Sequence, residues 1–297
     1  MTIHAPRRPR PRRPPAGTDE AVPTDKETID PMMGKGHAVL GAATWTAGAA
    51  YALPAMGYTA TPAILLMGCL PVAGAALRPD IDHPSASIAQ SGGFITKGIA
   101  AAAGKLSGGH RQGTHRLWFL LVCAGFDFAV VTLFGRWGGL ALFFVYTAFG
   151  TQALAKTTLH RGLGRRWKKS TWLLSDLYSW AFAAAASYGA YLVFPDAGSW
   201  WWLAAALTVG HLSHLIGDSL TTSGLEWAHG HRIRLPLLGN AGSRRESLLI
   251  SACMLLMVVI IASSVFGVSL ELPTWDDLPD WFPASLIPTS AAGNRPG

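Results

Sequence analysis

Seven long apolar runs constrain this chain most: residues 38–56, 60–77, 117–134, 138–155, 172–194, 200–217 and 248–268. Each comes near the roughly 20 residues that a helix needs to cross the hydrocarbon core of a bilayer, the shorter ones lying close to the lower limit. Half of the 297 residues are hydrophobic and only 14% are charged, too apolar a balance for an ordinary soluble domain of this size. The expected fold class is all-α: a polytopic transmembrane helical bundle of about seven helices. The first two runs are interrupted by Pro54, Pro62 and Pro71 and are rich in Ala and Gly.

Basic residues orient the runs. Of the 24 Lys and Arg, 22 fall in the stretches 1–37, 78–116, 156–169 and 218–247, which a seven-helix path places on one side. The other side carries only Arg136 and Arg295. Positive residues mark the cytoplasmic face, so the N-terminus is expected in the cytoplasm and the C-terminus outside. Trp137 and the run Trp200, Trp201 and Trp202 would then lie at the outer interface, where amphipathic rings are favoured. The net charge of +7 is thus mainly a topology signal, and no basic face of a folded domain suggests direct nucleic-acid binding.

Residues 1–31 form a Pro- and Arg-rich segment expected to be disordered, with cations near anionic lipid heads and without the apolar core of a secretory signal. The bundle is expected over 32–270, and 284–297 read as a second disordered tail. Between Ile88 and Leu106, the residues Phe94, Ile95, Ile99 and Leu106 share one helical face, with Lys97 and Lys105 placed to reach headgroups. A short interfacial helix is expected there. Ser243 and Glu246 form a capping box ahead of the last apolar run. Cys69, Cys123 and Cys253 all sit in apolar runs without CxxC spacing, which indicates neither disulfides nor a thiolate zinc site.

Chemistry-bearing residues gather at the cytoplasmic ends of the runs. His214 and Asp218 are spaced i, i+4 and share a helix face, with His211 one turn earlier. Alone, such a pair reads equally well as an intrahelical hydrogen bond. Asp80, Asp82 and His83 lie between Pro79 and Pro84, which are expected to hold the segment extended, so that both carboxylates point one way toward one ion or two. His110 and His115 precede the third run, and His37 begins the first. Asp127, Asp176 and Lys156 lie in or beside apolar stretches, and Asp127 has no partner visible in the sequence. His37, Asp80, Asp82, His115, His214 and Asp218 are expected to meet in one pocket, although Asp218 lies 181 positions after His37.

These residues stand in the segments GKGHAVLGA, LRPDIDHPSAS, HRQGTHRLW, GHLSHLIGDSLTTSG and HRIRLPLL. In content and order the segments resemble the membrane-bound metal-dependent hydrolase family, bacterial proteins also described as LexA-binding, inner-membrane-associated hydrolases. The resemblance spans roughly residues 33–265. It implies functional positions at His37, Asp80, Asp82, His83, His110, His115, His214 and Asp218, and a place in the bacterial inner membrane. Gln112 interrupts the family's HRG, Arg116 replaces a small hydroxyl residue, and His211 stands where an aromatic is common.

The expected metal ligands are therefore His37, Asp80, Asp82, His83, His115, His214 and Asp218. An all-nitrogen-and-oxygen set suits zinc first, with manganese or iron as alternatives. So many donors exceed the three protein ligands of a typical catalytic zinc, which means one ion with outer partners, or two ions. The reaction expected is metal-assisted hydrolysis, with Asp82 and His110 in catalytic roles and His110 moving the proton. Arg111 and Thr222 are expected to contact substrate, with Thr221 and Ser223 near the mouth. The headgroup level points to an amphiphilic ester or phosphoester and to membrane lipid as a partner. Two other readings stand beside this one: an ion transporter, supported by Asp127, and a scaffold with a structural metal that docks a cytoplasmic protein.

Overall fold

The computed structural model describes residues 34–268 apart from 59, 85, 109–112, 163–167, 195–199 and 241, and gives the backbone alone for 156–162 and 168–173. The expectations for 1–31, for 284–297 and for His110 and Arg111 lie outside the described residues.

The chain is mostly helical. α1 (Gly34–Ala47) passes through a π turn (Gly48–Ala52) into α2 (Leu53–Ala55). The π turn lies just upstream of Pro54, which has no N–H to give a regular helix, so the run stays helical despite the proline. α3 (Pro62–Ala75) begins with Thr61 accepting from the Ile64 N–H and with Pro62 in the first turn, where a missing N–H costs nothing. A 3-10 turn (Arg78–Asp82), α4 (Ser87–Gln90), α5 (Gly93–Leu106) and a second 3-10 turn (Gly113–His115) follow. Then come α6 (Leu117–Gly162), α7 (Lys168–Val193), α8 (Trp201–Ser219), the strands β1 (Leu225–Ala228) and β2 (His231–Ile233), and α9 (Arg244–Phe266). Pro62–Asp82, Leu117–Ala155 and Arg244–Phe266 are long and apolar enough to cross a membrane.

Helices occupy all seven apolar runs, but α6 holds two of them. Gly135, with φ 51° and ψ −129°, is the only non-helical residue between the two halves. A side chain on Gly138 would fall on the Val130 carbonyl. In a continuous helix, residues eight apart are about 12 Å apart, so the chain reverses at Gly135.

Small residues explain why the Ala- and Gly-rich first runs make stable helices. Gly74 and Gly150 lie backbone to backbone where α3 meets α6, and Gly210 of α8 rests on the Val72 carbonyl of α3. Gly41 of α1 abuts Ala76 and Ser213. Close backbone approach of this kind is how helices pack when van der Waals contact, rather than water exclusion, holds them together. Trp45, Leu65, Val72, Phe143, Leu203 and Leu207 belong to the resulting core.

The helical expectation holds across the described residues with one addition: 218–247 contains a short antiparallel hairpin pairing Leu225 with Ile233 and Glu226 with Arg232. Three side chains also depart from the sequence reading. Trp200 and Trp202 do not present their rings outward as interface anchors would; both are buried, Trp200 over Gly139 and edge-on to Phe143. A glycine at 139 leaves room for the indole. Only Trp137 and Trp201 of that aromatic set are exposed. Arg78, counted above among the cytoplasmic cations, is buried and bonds Asp127.

The helix expected within 88–106 is α5. It packs Thr96 and Ala100 inward beside the Arg78–Asp82 turn and exposes Phe94, Ile95, Ile99 and Leu106. Half of the capping box forms: Ser243 accepts from the Glu246 N–H at 3.1 Å, while Glu246 reaches one residue further back and accepts from the Gly242 N–H at 2.6 Å.

Candidate metal centre

Four segments far apart in sequence deliver donors to one buried spot. His37 comes from the first turn of α1, Asp80 from the 3-10 turn after α3, His115 from the 3-10 turn before α6, and His214 and Asp218 from the last two turns of α8. The i, i+4 spacing does what a helix dictates, with His214 Nε2 lying 3.6 Å from Asp218 Oδ2. Asp218 sits at the negative end of the α8 dipole, an unfavourable place for a carboxylate unless cationic charge faces it.

Two trios of donors converge, His37 with His214 and Asp218, and Asp80 with His115 and His214, each within 4.8 Å. His37 Nε2 lies 3.3 Å from Asp218 Oδ1, and His115 Nε2 lies 3.7 Å from Asp218 Oδ2 and 3.5 Å from Asp80 Oδ1. His214 Nε2 is 3.7 Å from Asp80 Oδ1 and 3.3 Å from His115 Nε2, and its ring stacks on His37. Donors bound at 2.0–2.1 Å around a tetrahedral zinc sit about 3.3 Å from one another. The observed spacings of 3.3–3.7 Å are close to that.

Tautomers follow from the outer partners. His214 Nδ1 lies 2.6 Å from the Ala76 carbonyl, which only accepts, so the proton is on Nδ1. The Thr114 hydroxyl donates to Asp82 Oδ2 at 2.6 Å, so its oxygen accepts from His115 Nδ1 at 3.1 Å. Both neutral rings then present Nε2 lone pairs to each other across 3.3 Å. That arrangement is repulsive unless a metal ion, or a proton on one of the two rings, lies between them. The residues therefore fit a divalent ion on spacing, donor chemistry and tautomer. His214 belongs to both trios but has one available lone pair, which favours a single ion.

Of the other expected residues, Asp82 is buried behind His115 and reaches it through Thr114. The reading of 78–84 as extended fails here. Pro79 fits the start of a 3-10 turn, where its missing N–H would be unbonded anyway, and residues two apart in such a turn point in different directions. Asp80 thus faces the histidines and Asp82 faces Thr114. His83 is half-buried and belongs to neither trio. Thr222 is half-buried and donates to Asn240, and Thr221 donates to the Asp218 carbonyl, closing the end of α8. Arg116 pairs with Glu226 at 3.0 Å, tying the His115 turn to the hairpin. His211 is buried against the edge of the Phe119 ring, outside both trios.

Sequence reasoning missed three contributors: Thr114, the Ala76 carbonyl, and Arg78 as the partner of Asp127. The hydroxyl directly before His115 was the one available signal for the first. A main-chain carbonyl leaves none.

A family model described as YdjM inner membrane protein matches residues 32–161. The match takes in His37, Asp80, Asp82 and His115 and stops before His214 and Asp218. No curated protein and no solved structure matches the chain. Over that stretch the chain is similar to a family of inner membrane proteins, and it carries helices able to cross a membrane.

Proposed function

We propose that this protein is an integral membrane metal-dependent hydrolase whose His/Asp site lies at the cytoplasmic face and acts on an amphiphilic ester or phosphoester. One observation carries the reading: His37, His115, His214, Asp80 and Asp218 converge at ligand-like spacing although four separate segments supply them. In this reading all seven apolar helices cross the bilayer, the N-terminus is cytoplasmic, and α5 lies in the interface. Its stripe Ile95, Ile99 and Leu106 dips into lipid, and Lys97 faces headgroups.

The three histidines and Asp218 would hold the ion, zinc on donor chemistry. A bound divalent cation supplies Lewis acidity and makes water a nucleophile near neutral pH. Asp80 keeps 19% of its side chain exposed, whereas the other four side chains are at 1% or less. Asp80 is thus the carboxylate placed to meet water and to take its proton. His110 and Arg111 stay assigned to the leaving group and to an anionic substrate.

A scaffold with a structural metal is the second reading, favoured by the depth at which four of the five donors are buried. Purified full-length protein separates the two. The enzyme reading expects close to one zinc per chain and metal-dependent hydrolysis within a panel of phospholipids and long-chain esters. A full metal complement without turnover on any of them would favour the scaffold, and no metal would remove both. Topology has its own check: single cysteines at Lys168 and Ser199 should label from opposite sides, and labelling of both from one side would refute the seven-span path.

A further inference from the structure

The geometry points to Thr114 and Asp82 as a positioning relay for His115. On this view Asp82 orients a metal ligand through Thr114 and is not itself a ligand. The inference rests on the metal reading above and assigns a role within that site.

The relay follows from counting protons. Thr114 has one hydroxyl proton and gives it to Asp82 Oδ2 at 2.6 Å, the short separation of a charge-assisted bond. Its oxygen is then an acceptor, and the group facing it at 3.1 Å is His115 Nδ1. The bond fixes the rotation of the ring and holds the proton on Nδ1. The Nε2 lone pair is left toward Asp80, His214 and Asp218. All three relay residues are buried, with Thr114 at 3%, Asp82 at 4% and His115 at 0% exposure, so water is poorly placed to replace a lost partner. The relay is itself held from outside. Gly104 of α5 lies over the Asp82 carbonyl, and a Cβ there would come within 3.0 Å of it. The interfacial helix thus braces the turn that carries both Asp80 and Asp82.

A valine at 114 keeps the shape and removes both hydrogen bonds, while a serine keeps the hydroxyl. Loss of an outer partner of a ligating histidine costs roughly 10- to 100-fold in metal affinity. Zinc affinity should be measured on the full-length protein by competition with a chromophoric chelator, and the ligand field read from the visible spectrum of the cobalt-loaded protein. Thr114→Val should lose affinity within that range and change the cobalt spectrum, and Thr114→Ser should restore both. Asp82→Asn, which keeps an acceptor for Thr114, should lose less than Asp218→Asn. Nitrogen NMR of histidine-labelled, metal-free wild type needs no variant: His115 should carry its proton on Nδ1. A proton on Nε2 there would overturn the relay whether or not zinc binds. Wild-type affinity in Thr114→Val, or a loss in Asp82→Asn as deep as in Asp218→Asn, would do the same. Failure of wild type to bind any metal, with His115 protonated on Nδ1, would reject the metal reading and leave the hydrogen-bonded relay standing.

Discussion

Asp218→Asn is expected to strip the protein of its metal and to abolish turnover while leaving the chain folded. Asp218 is the carboxylate that lies within 3.7 Å of all three histidines. Without its charge, three imidazoles would have to share an ion with Asp80 alone. The loss should exceed the roughly 10- to 100-fold typical of outer partners, because a donor is removed rather than misaimed. His214→Ala should be as severe, since His214 belongs to both trios and bridges to the α3 end through the Ala76 carbonyl. Metal content of the purified variants by mass spectrometry, beside their elution in detergent, checks this. An Asp218→Asn protein with wild-type metal content would mean that the converging donors do not hold the ion.

Much of this site was legible in the sequence, for a physical reason. A membrane turns one-dimensional order into a coarse third coordinate: once cations orient the runs, every residue at a run's end has a known side. That led to the expectation that His37, Asp80, Asp82, His115, His214 and Asp218 meet, and all but Asp82 fall in the two trios. What it cannot supply is rotation. Whether Asp82 faces the ion or Thr114 depends on the turn being 3-10 rather than extended, and two prolines are compatible with either. The same limit hid Trp200, whose burial depends on the bare backbone at Gly139, sixty-one positions earlier. The hairpin was missed because its short strands, exposed along β2, carry little alternation of apolar and polar residues.

Arg78 and Asp127 show the cost of that limit, and they carry the prediction with the largest effect on stability. A seeming loop cation and a seeming lone carboxylate, 49 positions apart, form a buried ion pair at 2.7 Å, with the guanidinium 4.6 Å from the centre of the Tyr146 ring. Removing one member leaves the other charged and without its counter-ion, so Asp127→Ala should destabilise the protein by about 3–5 kcal/mol. The double replacement Arg78→Met with Asp127→Leu should recover most of the loss, because an apolar pair of similar volume needs no partner charge. Unfolding in detergent, followed by tryptophan fluorescence, measures both. The cycle also bears on the transport reading, which leaned on Asp127 as an ion-binding carboxylate. A transport residue would leave the fold intact and abolish ion flux in liposomes, and the apolar double variant could not restore that flux. An ion pair that serves structure predicts the opposite on both counts: a fold that fails with the single change and returns with the double, and no flux to lose.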